Sequence, residues 1–190
     1  MAITLRPAKP VTDDELLELS RQNPGYQFER TAKGELVVTP MGGQSSHREH
    51  EISLQLGIWT KRDGRGIAFS SSGGFRLSDG ALFSPDASWV RRDRWDVLSV
   101  EQREGILPLC PDAVFEVRSK SDEVKELQEK MRVYLANGAQ IAILIDPYER
   151  SVEVSRPGRK TETHRDPTSI ALDPELPRFV LNLKPIFASQ

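Results

Sequence analysis

Cysteine is almost absent: Cys110 is the only one in 190 residues. A lone thiol closes no internal disulfide, which excludes a disulfide-stapled secreted scaffold and suits a reducing compartment. Long apolar runs are missing as well. The most apolar stretch, Ile141–Ile145, falls far short of the ~18 residues of a membrane span. Met1–Pro7 has no apolar core of the kind a secretory signal needs. A cytoplasmic protein outside the membrane is the expectation. Neither sign of charge dominates, because 26 Lys and Arg face 28 Asp and Glu for a formal charge of -2. That excludes the strongly basic footprint of a non-specific nucleic-acid coat, and leaves room for a local basic patch. Of three histidines, His47 and His50 stand at i, i+3 with no cysteine or third histidine to complete a zinc site. Gly42-Gly43 lacks the rest of a phosphate-binding loop, so no nucleotide cofactor is expected.

What is present is the pattern of one α/β domain spanning residues 1–190, with a mixed sheet. Thr12-Asp-Asp-Glu15 is a capping box, followed by Leu16, Leu17 and Leu19, and predicts a helix to about Gln22. Tyr26–Thr31 and Glu35–Thr39 flank a Lys-Gly turn and read as a hairpin. A second capping box, Ser46-His-Arg-Glu49, predicts the start of a helix. Ile52, Leu56 and Trp59 give it one apolar face, and Gly64 and Gly66 end it. Short strands are expected at Ile67–Ser70, Phe75–Leu77, Ala81–Phe83 and Ala87–Val90, then a short helix near Trp95–Val100. Asp112–Ser119 reads as a buried strand. A helix at about Asp122–Asn137, closed by Gly138, leads to the apolar strand Gln140–Ile145 and a further strand, Ser151–Ser155. In the turn-rich tail Arg178–Leu183 is the clearest strand.

Three places could carry chemistry. On the strand Asp112–Ser119, alternation puts Val114, Glu116 and Arg118 on one face. An acid and a base two apart on an apolar strand must be paired, either with each other at a solvent-exposed surface or within a site. Asp86 follows Pro85 at the entry to another strand. Ser-Pro-Asp is ordinary turn chemistry, but two carboxylates on neighbouring strand ends are also the minimal cage for a hard divalent cation. In the helix 122–137 Lys130 lies about 40° from Tyr134 and about 60° from Leu127, at the edge of the apolar stripe. There it either snorkels, pairs with Glu126 at i-4, or aims its ammonium at the carboxylates. Arg91-Arg92 with Arg94, and Lys61-Arg62 with Arg65, are the best basic patches, as phosphate contacts or as solvated surface.

Pro85-Asp86 followed by Glu116-Val-Arg118 resembles the PD-(D/E)XK signature of restriction-endonuclease-like nucleases. The longer pattern resembles one bacterial family of that superfamily. It runs through Gly74-Phe-Arg-Leu77, Ser84–Val90, Pro111–Ser119, Lys130-Met131 with Tyr134 and Gly138, and Leu144-Ile-Asp-Pro147. The resemblance implies a central mixed sheet flanked by helices, with additional hairpins, and Asp86 and Glu116 as carboxylates for Mg²⁺ or Mn²⁺. Arg118 stands where the signature usually has lysine. A guanidinium does not deprotonate near neutrality, so it can hold phosphate charge but not act as a base. Lys130 matches the family's helix lysine, Lys120 is a rival, and Glu51 on the first long helix is a further candidate metal ligand.

The expected activity is Mg²⁺-dependent hydrolysis of DNA phosphodiester bonds. Asp86, Glu116, Arg118 and Lys130 would be its catalytic group: the two carboxylates hold the metal, Lys130 positions or activates the water, and Arg118 stabilises phosphate charge. A homodimer would cut both strands. Two rival classes remain at this point: a catalytically silent module binding DNA or protein, and a metal-free glycosidase built on the carboxylate pair.

Overall fold

A computed structural model describes residues 2–188. In chain order its strands are β1 (Ile3–Leu5), β2 (Tyr26–Arg30), β3 (Leu36–Pro40), β4 (Gly66–Ser70), β5 (Phe75–Arg76), β6 (Leu82–Phe83), β7 (Ala87–Arg91), β8 (Ala113–Val117), β9 (Ile141–Asp146), β10 (Ser151–Ser155), β11 (Glu162–Arg165), β12 (Ser169–Ala171) and β13 (Val180–Asn182). The helices are α1 (Asp13–Gln22), α2 (Gly43–Asp63), α3 (Arg92–Asp96), α4 (Val100–Glu104), α5 (Val124–Ala136) and α6 (Lys184–Phe187).

The centre is a six-stranded mixed sheet in the order β11-β10-β9-β8-β7-β4. Its one parallel pair is β8 with β9, joined by α5, while its other neighbours run antiparallel. Both faces are covered, which is why β8 and β9 are apolar on both faces apart from Glu116 and Asp146 at their site ends. On one face Ile52 and Leu56 of α2 pack with Phe115, Ile143 and Ile145. On the other, Met131 and Tyr134 of α5 pack with Val114, Ala142 and Leu144. Each such fully buried Ile, Leu or Phe contributes roughly 1.5–3 kcal/mol of transfer free energy.

A second sheet, β1-β3-β2-β6-β5, is wholly antiparallel. Leu16 of α1 closes its Phe28, Leu36 and Leu82 side into a smaller core. The opposite side, bearing Glu29 and Phe83, is turned toward α5, with Phe83 edge-on to Tyr134 at 5.4 Å. The site therefore has walls from both sheets.

Most boundaries shift by a residue or two from expectation, and three differences are instructive. Helix α2 begins at Gly43, not at the Ser46 cap, because Ser46 N–H already donates to Gly42 C=O and the helix starts a turn earlier. The single helix near Trp95–Val100 is instead α3 and α4, since Ser99 and Gln102 form a capping box that starts a new helix at Val100. The strand at Arg178–Leu183 contracts to β13, with Arg178 at φ 64 turning the chain into it. Gly64 does close α2, at φ 76 with its N–H on Thr60 C=O. Two residues on, a Cβ at Gly66 would meet the Trp89 ring at 2.2 Å, so the start of β4 admits only glycine.

Candidate active site

The antiparallel register of β7 and β8 pairs Ala87 with Phe115. Extending it by one residue sets Asp86 across from Glu116, at the end of the sheet where β7 begins and β8 ends. The Asp86 carboxylate is tied there through Oδ2, which accepts Val117 N–H at 2.7 Å. Glu116 is buried, and its Oε1 lies 2.8 Å from Lys130 Nζ and accepts the Tyr134 hydroxyl at 3.0 Å. Asp86 Oδ1 and Glu116 Oε2 accept no hydrogen bond among the described residues.

Lys130 and Tyr134 lie four apart on α5, so both project from the helix face that packs on β8 and β9. The ammonium does not snorkel and does not pair with Glu126. It lies 2.8 Å from Glu116 and 2.9 Å from Glu29 of β2, 5.3 Å from the centroid of Phe83. Glu49 of α2 adds a further carboxylate whose charge acts on Asp86.

One ammonium among four carboxylates leaves an excess of negative charge in a desolvated place, and the titration of the group follows from it. Burial raises the Asp86 carboxyl well above the usual carboxylate range, and the Glu116 and Glu49 charges push it further. Glu116 rises to about 7: burial is the largest cause, Lys130 opposes it and Glu29 adds to it. Burial also raises Glu49, against a hydrogen bond from Ser71. For Lys130 burial pulls downward, but the charges of Glu116 and Glu29 outweigh it and raise the ammonium above its ordinary value. Lys130 is a fixed positive charge near neutrality, not a base.

The other sequence candidates lie apart. Arg118 stands just past the end of β8 and does not pair with Glu116. Its Nη1 donates to Asp146 Oδ2 at 2.9 Å, its Nε to Asp122 C=O at 3.3 Å, and its guanidinium is 5.6 Å from the Tyr148 ring. Lys120 is exposed beyond the strand. Glu51 is half-buried on α2, and at 100° per residue it points some 200° away from Glu49. The helix does send a glutamate toward Asp86, but it is Glu49. His47 and His50 are exposed. Cys110 is buried among Tyr134 and Ala139, and burial pushes its thiol up to about 12, which leaves it inert.

The basic patches are largely neutralised where they stand. Arg91 pairs with Asp93, Arg94 with Asp112 at 3.0 Å, and Arg65 with Asp63 at 2.6 Å. Arg92 donates to the carbonyls of Gly64 and Gly66. A groove of about 530 Å³ between Gln55, Trp59, Arg62 and Arg178 lies near the far end of α2 and includes none of the cluster residues.

Two partners of the site escape sequence reasoning. Glu29 belongs to a strand whose alternation reads as half solvated, and it meets Lys130 101 residues away. Glu49 reads as a helix-capping residue. The only signal for either is the position of Glu29 on the polar side of an amphipathic hairpin, next to Gln27.

Among the described residues no three Asp, Glu, His or Cys side chains converge into a complete metal cage. The donor set nevertheless fits a hard cation of the Mg²⁺ type, which needs one or two carboxylates and completes its shell with water and phosphate oxygens. Asp86 Oδ1 and Glu116 Oε2 are the oxygens available for it. No helix of the described residues is long and apolar enough to cross a membrane.

No curated protein matches the chain. In fold it is similar to the crystal structure of a putative nuclease belonging to DUF820 from Anabaena variabilis ATCC 29413. That comparison has a TM-score of 0.75 and 24% identity, covering 95% of this chain and 99% of that one. The sequence model of the Uma2 family, described as "Putative restriction endonuclease", matches residues 13–184. That span runs from α1 to the start of α6 and takes in every member of the carboxylate–ammonium cluster, and the chain belongs to the Uma2 family.

Proposed function

We propose that the protein is a Mg²⁺-dependent endonuclease that hydrolyses DNA phosphodiester bonds. The observation that carries this reading is the excess of carboxylate over ammonium at Asp86, Glu116, Glu29, Glu49 and Lys130. Asp86 and Glu116 would hold the ion through Oδ1 and Oε2. When bound, a divalent cation supplies charge stabilisation to a scissile phosphate and makes nearby water more acidic.

The chain's own residues do the rest. Val117 N–H and the Tyr134 hydroxyl fix the two carboxylates by taking up Asp86 Oδ2 and Glu116 Oε1, which leaves the other oxygens for the ion. Lys130 supplies a positive charge for the phosphate oxygen on which negative charge builds. Arg118, held by Asp146 at the rim, would contact a neighbouring phosphate and contribute to binding rather than to the chemical step. Cutting both strands requires two such sites, which a homodimer supplies.

The pKa pattern favours a cation site over a glycosidase pair. A glycosidase keeps one carboxyl protonated and the other ionised. Here Asp86 and Glu116 are both pushed upward. The single Lys130 ammonium on Glu116 does not offset both, and a divalent ion would provide the missing positive charge.

The test is cleavage of supercoiled plasmid DNA with Mg²⁺ or Mn²⁺, with a chelator control, by wild type and Asp86→Asn. Nicked and linear products from wild type alone, lost on chelation, are expected. DNA retained in a mobility shift without turnover would instead identify a silent binding module. Equal cleavage by Asp86→Asn would remove Asp86 from the site.

A further inference from the structure

The side of the second sheet that faces α5 does more than wall the site. Glu29 is 7% exposed, and a carboxylate so far from water is costly unless its oxygens are taken up. Oε1 accepts Ser84 N–H at 2.7 Å and Lys130 Nζ at 3.0 Å, and Oε2 lies 2.9 Å from the same ammonium. One residue pair along, Gln27 Nε2 donates to Ser84 C=O at 2.8 Å. Strand β2 thus grips both polar groups of the Ser84 backbone, two residues before Asp86, while its Glu29 also holds the ammonium.

The chemistry of the shared ammonium separates the two jobs. Lys130 divides its charge between Glu29 and Glu116. A divalent ion drawing on Glu116 would compete for the very carboxylate that neutralises the ammonium. An ammonium so deprived would be repelled by the ion and leave the site. Glu29 lies on the other sheet and on the other side of the ammonium, and is the anion that remains to hold it.

We infer that Glu29 is a positioning residue, which keeps the Lys130 ammonium in the active site when Glu116 turns to a divalent cation. This rests on the nuclease reading for its purpose, but the clamp itself exists in the metal-free protein. Strand β2 is then a working part of the active site, acting through Lys130 without touching the substrate. The grip on Ser84 needs only an acceptor, which glutamine retains. The grip on Lys130 needs the negative charge, which glutamine lacks.

The experiment follows the Lys130 ammonium by ¹H–¹⁵N NMR in the full chain, its signal assigned by its loss in Lys130→Met. In the metal-free wild type the buried, doubly paired ammonium should exchange slowly with water. Glu29→Gln should speed that exchange at least ~10-fold, an effect expected of a lost charge-assisted bond. Addition of Mg²⁺ should leave the wild-type signal in place and abolish it in Glu29→Gln. In plasmid cleavage Glu29→Gln should lower kcat at least ~10-fold with KM for DNA within about twofold, and should add nothing in a Lys130→Met background, as coupled residues behave. Glu29→Asp, which keeps the charge, should restore part of both signals and guards against a folding defect. Unchanged ammonium exchange in Glu29→Gln, or full additivity with Lys130→Met, would overturn the inference. If the wild type cleaves no DNA the nuclease reading fails, while the metal-free exchange comparison still decides the clamp.

Discussion

Two largely buried cations in this molecule each hold two carboxylates, and they differ in what surrounds them. Arg156, 9% exposed, gives Nε to both oxygens of Glu175 at 3.0 and 3.1 Å, Nη1 to Glu162 at 3.1 Å and Nη2 to Asp173 C=O at 3.1 Å. Glu162 reaches solvent, so that group binds the β10–β11 hairpin to the 173–175 turn with its one surplus negative charge hydrated. Lys130 lies between Glu29 and Glu116 in the same way, but the charges of Asp86 and Glu49 add to theirs, and no second ion pair to Asp86, Glu116 or Glu49 is seen among the described residues. Water completes the first cluster. The second is short of positive charge, and the deficit shows as carboxyls that resist ionising. A buried ion pair alone says little about function; the uncompensated remainder does.

The comparison breaks most sharply at the carboxylates. Asp86→Asn and Glu116→Gln should each lower DNA cleavage at least ~1,000-fold, since a bound metal supplies several kcal/mol to such chemistry. The metal-free fold should hold or gain in thermal stability at about pH 8, because each change removes a charge that burial disfavours. The opposite is expected at the Arg156 cluster. Arg156→Leu should cost on the order of 2–3 kcal/mol in urea unfolding, below the full penalty for a broken buried pair because Glu162 faces water. Its cleavage rate per folded molecule should match wild type.

Lys130→Met comes next, at roughly 100-fold in kcat, the range for a positioned electrostatic group. Metal binding should hold or tighten, because a competing cation is gone; calorimetric titration with Mn²⁺ reads both.

How much of this is legible before the structure depends on where each signal resides. Strands β8 and β9 are visible because burial on both faces leaves them apolar, and α5 because its stripe repeats at helical spacing. Asp86, Glu116 and Lys130 stand out by order and spacing. Helix phase is a different matter: Glu49 and Glu51 are both acidic, and only the packing of Ile52 and Leu56 on the sheet decides which one faces Asp86. Glu29 is silent for a similar reason, as a charged residue on an alternating strand looks solvated until a second sheet covers it. Arg118 misleads locally, since its nearest acidic residue in sequence is Glu116 while Asp146 on the adjacent strand takes it. The edge strand β1, three exposed residues, has no pattern of its own and exists through its pairing with β3.

The pH dependence sharpens the account at a smaller scale. Glu116 is raised to about 7 from the ordinary carboxylate value, so the folded protein holds a proton that the unfolded chain releases. The stability this group contributes is complete below about pH 4.5 and is lost as pH rises through about 7. Wild type should lose more Tm than Glu116→Gln between about pH 5 and 8, and Mg²⁺ should restore the difference. Below about pH 7 a cation must displace that proton, so apparent Mg²⁺ affinity should rise up to ~10-fold per pH unit and then level off. Smallest of all, Arg118→Lys should change KM for DNA by only ~2–5-fold and leave kcat alone, because a lysine keeps a charge at the rim but not the fork that Asp146 holds.

The central claim is that Asp86 and Glu116 share a divalent cation while Lys130 stays on Glu29. A crystal of the wild-type protein soaked in Mn²⁺ at about pH 8, with anomalous diffraction measured at the manganese edge, tests it directly. The account predicts one strong anomalous peak within ~2.3 Å of Asp86 Oδ1 and Glu116 Oε2, with the Lys130 ammonium still on Glu29. A strong peak elsewhere with none between these two carboxylates, or an ammonium that remains on Glu116 and excludes the ion, would contradict it.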